Sequence, residues 1–217
     1  MWIVPSRQRP HKLRRFLAAC AATKTQTRIV VVIDETEPCT SEYHATGAEI
    51  LVRPGESIGC VDKVRFAFRA FPDLQWYGML VDDCEPLTRG WDVALIEACM
   101  PGRIAYCDDG RGRYCMPAIC GTLLRAVGDV GPAGLQHYGL DQYWRKLARA
   151  SGRLVYLRRH TIRLTDRVRG EPESSWDEPK RRQKARRHED KAVWHAMRKS
   201  QAFRDMVATV QAVPCHV

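Results

Sequence analysis

The sequence predicts an α/β protein built on a largely parallel sheet, with a basic helical extension at its C-terminal end. Three observations carry that expectation. Short apolar runs alternate with segments of helical periodicity through the first half of the chain. Residues 28–33 are almost continuously β-branched, the pattern of a strand buried on both faces. After Thr165 the composition turns charged and polar, and the strand pattern ends.

Taken in order, residues 2–5 are a short apolar run closed by Pro5, and Leu13, Phe16, Leu17 and Cys20 then fall at i, i+3, i+4, i+7 on one face of a helix. The run at 28–33 is the second strand. A polar loop leads to a third at 49–52, and Val61, Val64, Phe68 and Phe71 keep helical spacing. Residues 76–81 form the next strand, halted by Asp82 and Asp83. The second half is less regular. Trp91, Leu95 and Ala98 mark a helix, 103–106 a short strand, 108–113 a flexible loop, 116–127 an apolar stretch and 128–134 a Gly/Pro loop. Leu140, Tyr143, Trp144 and Leu147 define a clear amphipathic helix, and 154–157 a last strand. Residues 175–211 are expected to form one or two surface helices, with Trp176, Trp194, Met197, Phe203 and Val207 packing back on the core.

The 217 residues are 45% hydrophobic and 28% charged, which excludes wholesale disorder. No apolar run approaches the ~18 residues that span a bilayer, and residues 2–4 are too short for a secretory h-region. A soluble, cytoplasmic protein is the expectation. Nine cysteines without a C-x-x-C pair read as buried thiols rather than a zinc site or a disulfide framework. The net charge of +10 is unevenly placed. Arg7, Arg9, Lys12, Arg14, Arg15, Lys24 and Arg28 precede the first acidic residue, and Lys180, Arg181, Arg182, Lys184, Arg186 and Arg187 crowd one short segment. Such clusters attract polyanions and phosphorylated ligands, or else form a solvated face.

Right-handed crossovers bring the C-terminal ends of parallel strands to one edge, where ligands bind. Ser6, Arg7 and Arg9 would meet Asp34, Glu35, Asp82 and Asp83 there. Cations and a hydroxyl beside carboxylates suit a phosphorylated ligand bound with a metal.

The order of residues carries a resemblance. Val4-Pro5-Ser6-Arg7-Gln8-Arg9-Pro10 resembles the opening strand and loop of GT-A glycosyltransferases of the broad family-2-like group. The segment from Val81-Asp82-Asp83-Cys84 through Trp91-Asp92 is similar to that group's metal-binding acidic motif, in the compact form of bacteriophage-encoded members. His137-Tyr138-Gly139-Leu140-Asp141 resembles the acceptor-side motif with the catalytic base, and His160 sits where a further metal ligand often stands. The resemblance implies a GT-A catalytic domain (Rossmann-like, a mostly parallel sheet flanked by helices) over residues 1–165, followed by the extension 166–217. It implies a nucleotide-sugar donor, a UDP-sugar, contacted by Pro5, Ser6, Arg7, Arg9, Asp34, Lys63 and Asp82. It further implies Mn2+ or Mg2+ on Asp83 and His160, and Asp141 as general base with His137 as its competitor. The usual motif is Asp-x-Asp, so Cys84 leaves open whether the metal site is weak or absent.

A departing nucleoside diphosphate gathers negative charge, which a hard cation on carboxylate oxygens and nearby arginines offset. A base on the far side of the sugar would invert the anomeric centre. The acceptor stays open between a hydroxymethylated pyrimidine base in phage DNA, reached with the help of the basic segment, and a cell-surface glycan. A non-catalytic nucleic-acid-binding α/β protein is the reading from another class. A nucleotidyltransferase fits less well, because residues 5–10 contain no glycine.

Overall fold

In the computed structural model of the chain, the structure describes residues 1–23, 25–100, 102–165 and 180–215, with side chains from 184 onward in the last segment. Trp176 and the side chains of Lys180, Arg181 and Arg182 lie outside the described residues. The elements run β1 (Trp2–Pro5), α1 (Pro10–Ala22), β2 (Ile29–Asp34), α2 (Thr40–His44), β3 (Glu49–Arg53), α3 (Cys60–Ala70), β4 (Trp76–Met79) and β5 (Cys84–Pro86). They continue with α4 (Trp91–Cys99), β6 (Ile104–Asp108), β7 (Tyr114–Cys120), α5 (Gly121–Val127), α6 (Leu140–Ser151), β8 (Leu154–Leu164), α7 (Lys180–Met197) and α8 (Gln201–Ala212). The strand order is β3-β2-β1-β4-β7-β6-β8-β5. The strands β3, β2, β1 and β4 are parallel, β7 runs against β4 and β6, and β5 runs against β8.

Helices cover both faces, which is why the central strands carry unbroken apolar runs. Ile3, Val30 and Val32 face α3, α5, α6 and the C-terminal helices, while Val4, Val31 and Ile33 face α1 and α4. On the second face Trp2 lies 4.8 Å from Trp91 and 5.2 Å from Trp76, between ring centroids. Gly78 makes room for it, since a Cβ there would lie 1.8 Å from the Trp2 ring. The C-terminal helices belong to the first core, where Trp194 is 6% exposed and Val210 fully buried.

Several elements depart from expectation. The polar loop after β2 contains the short helix α2, whose Tyr43 is buried. The strand expected to reach residue 81 ends at Met79, and a three-residue strand follows the acidic pair. The apolar stretch 116–127 divides into the end of β7 and α5. The last strand is 11 residues long, because its polar half pairs with β5 through Ile162, Arg163 and Leu164. Along its pairing with β6 the register jumps from Leu157 to Thr161, leaving Arg158, Arg159 and His160 as a bulge.

Candidate active site

At the C-terminal ends of β1, β2 and β4, buried ion pairs fix the loops. Lys63 of α3, 3% exposed, donates to Ser6 O at 2.6 Å and lies 3.1 Å from Asp34 Oδ2, which also accepts from Ser57 Oγ at 2.8 Å. Burial lowers the pKa of Lys63 and Asp34 opposes that shift. Ser6 Oγ contacts Tyr43 Oη at 2.6 Å and donates to Asp82, and Arg9 Nη2 lies 2.7 Å from Asp82 Oδ1. That contact is off the guanidinium's donor axis, so it is an electrostatic pairing more than a directed hydrogen bond. Burial pushes the Asp82 carboxyl up, and Arg9 and Ser6 resist. Breaking one side of a buried pair strands the other charge at a cost of about 3–5 kcal/mol. Lys63→Ala is therefore expected to lower unfolding stability by about that much in urea melts, while Lys63→Met with Asp34→Asn recovers most of it. Equal losses in both variants would show that the pairing contributes nothing.

An open cavity of about 700 Å³ lies beyond this layer. It is lined by Pro5, Ser6, Arg7, Arg9, Lys63 and Asp83 from the donor-side set and by His137 and Asp141 from the acceptor-side set. Arg186 and Arg187 of α7 line it too, so the division at residue 165 does not divide the cavity. Lys184 is exposed. Asp34 and Asp82 stand behind the wall, at 2% and 1% exposure, engaged with Lys63 and Arg9 rather than facing the opening. Within the acidic motif Cys84 turns into the second core against Cys115, leaving Asp83 as the motif residue at the cavity. His160 is not brought there. Asp83 O receives the N–H of Thr165 at 2.8 Å, and His160 lies five positions earlier along the chain, about 16 Å when extended. Among the described residues no three His, Cys, Asp or Glu side chains converge on one point.

The loop ahead of α6, with His137, is held by residues the sequence did not single out. Asp190 of α7, 2% exposed, accepts three successive backbone N–H groups, from Gln136 at 2.7 Å, His137 at 3.0 Å and Tyr138 at 2.7 Å. Gly59 presses on the same loop, since a Cβ there would meet Gln136 O at 2.3 Å. The Cys60 thiol donates to His137 O at 3.1 Å, and the Cys60 N–H donates to His137 Nδ1 at 3.5 Å. With Nδ1 accepting, the neutral ring carries its proton on Nε2. Tyr106 Oη donates to Asp141 O at 2.9 Å, fixing the first turn of α6.

Burial, with Arg9, Arg186 and Lys63 nearby and Asp190 opposing, lowers the His137 pKa from 6.5 to about 4. Between those values the unfolded chain binds a proton that the folded chain refuses, so stability is full above pH 6.5 and falls as pH drops toward 4. The loss from this group at pH 4.5 is expected to be about 2.5 kcal/mol. His137→Gln should flatten that part of the profile in urea melts at pH 7 and 4.5, and an unchanged slope would assign the acid sensitivity to other groups.

No protein-family profile and no curated protein matches the sequence. Solved structures do. The chain is similar to the mannosyltransferase PcManGT of Pyrobaculum calidifontis in complex with GDP-Man and Mn2+ (TM-score 0.64, 12% identity, 97% of this chain and 68% of that one). It is also similar to residues 1–349 of TarS of S. aureus (0.54, 16%, 76% and 60%) and to GalNAc-T7 with UDP, GalNAc and Mn2+ (0.57, 12%, 75% and 43%). The fold is the GT-A fold, and the chain spans less than two thirds of the latter two proteins.

Proposed function

We propose that the chain is a metal-dependent, inverting glycosyltransferase that moves a sugar from a nucleotide-sugar donor, a UDP-sugar, to a hydroxyl on a hydroxymethylated pyrimidine of DNA. One observation carries the reading: Asp83, after β4, and Asp141, in the first turn of α6, line one cavity together with Arg7 and Arg9.

The donor diphosphate is received by Arg7 and Arg9 through charge-assisted hydrogen bonds. Asp82 acts from behind as a positioning group, holding Arg9 in place. The donor set fits a divalent cation of the Mn2+ or Mg2+ kind, because such ions are held by one or two carboxylates and completed by substrate phosphates and water. Asp83 would hold it, and the ion would offset the charge that develops on the leaving diphosphate. Asp141 stands in the first turn of α6, where the helix dipole favours its ionised form. It takes the proton of the acceptor hydroxyl as that oxygen bonds to the anomeric carbon, while the sugar–phosphate bond breaks and its electron pair leaves on the diphosphate. Attack from the face opposite the leaving group inverts the anomeric centre. His137 fits a donor better than a base, since its ring is neutral at pH 7 and Nδ1 already accepts from Cys60. The +10 charge and the α7 cations at the cavity support a polyanionic acceptor.

The test is a thermal-shift screen of nucleotides and nucleotide sugars with and without Mn2+, since a ligand that binds only the native state raises apparent stability. Stabilisation by a nucleoside diphosphate that grows with Mn2+ is expected. Salt-sensitive DNA binding with no nucleotide response would favour a non-catalytic binding protein instead.

A further inference from the structure

We infer that the cavity-facing stripe of α7 is the track for a single strand of nucleic acid, with Arg187, Lys191 and Arg198 taking successive phosphates as the strand runs past Asp141. The inference rests on the glycosyltransferase reading for its direction, but its binding surface stands on its own observations.

Arg187, Lys191, His195 and Arg198 fall at i, i+4, i+8 and i+11, and all line the cavity that holds Asp83 and Asp141. Arg198 lies in the turn closing α7, with its N–H still bonded to Trp194 O at 3.1 Å, so the helical spacing carries through. Arg187, Lys191 and Arg198 are the three cations of the stripe, and Lys146 on α6 adds a fourth to them in the cavity lining. No described carboxylate lies within 4 Å of these four α7 side chains. Of the acids near them in sequence, Glu189 is exposed and Asp190 is already taken up by three backbone amides. Like charges at i, i+4 on a helix repel, and the His195 pKa is lowered by Arg198 first, then by desolvation, then by Lys191 and Lys199. The arrangement is unfavourable alone and becomes favourable with an anion.

Its length specifies the kind of anion. Eleven residues of helix from 187 to 198 extend about 16 Å, so one phosphate cannot satisfy the stripe and a chain of them can. A strand of nucleic acid is favoured over a duplex, because a hydroxyl on a stacked, paired base cannot reach a carboxylate inside a cavity. Tyr138, at the entrance of this wall with Arg187 5.2 Å over its ring, adds an aromatic beside the cations.

The experiment is fluorescence anisotropy of a short labelled oligodeoxythymidylate and of a duplex, titrated between about 50 and 200 mM KCl. Wild-type protein should bind the single strand more tightly, with a steep salt dependence. Arg187→Gln/Lys191→Gln/Arg198→Gln should weaken it at least about tenfold and reduce the slope of log affinity against log salt by about 2, at about 0.7 per lost phosphate contact. Lys199→Gln/Arg204→Gln, beyond the cavity, should leave the slope alone. The inference is overturned if the triple variant keeps the wild-type slope, if the control loses as much, or if duplex binds as well as the single strand. A wild-type protein that binds the strand normally but ignores every nucleotide would sink the glycosyltransferase reading and leave this one standing.

Discussion

Asp141→Asn is expected to lose about 10²–10⁴-fold in sugar transfer, the usual contribution of a general base. Asn keeps the size and the hydrogen-bonding reach but does not take a proton at neutral pH. Donor affinity should hold, because Asp141 is assigned to the acceptor oxygen and the nucleotide contacts to the β1 loop. The helix should survive as well, since the charge–dipole contribution is only about 0.3–1 kcal/mol and the Tyr106 bond goes to the backbone carbonyl of residue 141. His137→Gln is the comparison, and its transfer loss should be far smaller. A dead His137→Gln enzyme beside an active Asp141→Asn would reverse the two roles. Single-turnover transfer assays on both variants, with nucleotide binding measured separately, decide the matter.

Asp83→Ala should remove the Mn2+-dependent part of the stabilisation given by a nucleoside diphosphate. At a ligand concentration about 100 times Kd, that stabilisation amounts to about 2.7 kcal/mol in the wild-type protein. Asp83 is the motif residue at the cavity, and Cys84 is committed to the core, so the neighbouring motif side chain has no position from which to substitute for it. The variant should fold, because the backbone carbonyl of residue 83 makes the bonds to Thr165 and remains. Because the readout is melting temperature, it does not depend on turnover. A folded variant that keeps the full metal effect would move the cation elsewhere.

The parallel half of the sheet was legible because burial on both faces leaves a plain mark. Val30 to Ile33 cannot be anything but interior, and Leu13, Phe16 and Cys20 repeat at a helix period. The second part of β8 carried no such mark. Its Arg-Arg-His-Thr sequence reads as loop, and only the partner strand β5 and the bulge make it sheet. Strand-end residues were readable as a group, since topology brings them to one edge. Which of them face the opening was not, because that depends on pairings across long sequence distances, such as Lys63 with Asp34 and Arg9 with Asp82. Asp190 was the least visible of all. It lies in a run of charged residues where the pattern predicts a solvated face, and only the fold shows it buried beneath the loop of residues 136–138.

The three-amide grip of Asp190 has a consequence for the timing of synthesis. The loop it holds ends just before Asp141, yet the carboxylate that holds it comes 54 residues after Gln136. A ribosome adding about 5–20 residues per second needs about 3–10 s to cover that distance. During that interval the sheet can already be formed, while the loop ahead of the base has nothing to fasten it. A nascent chain would thus complete the layer of Lys63–Asp34 and Arg9–Asp82 pairs first, and fasten the loop ahead of α6 only once α7 has left the exit tunnel.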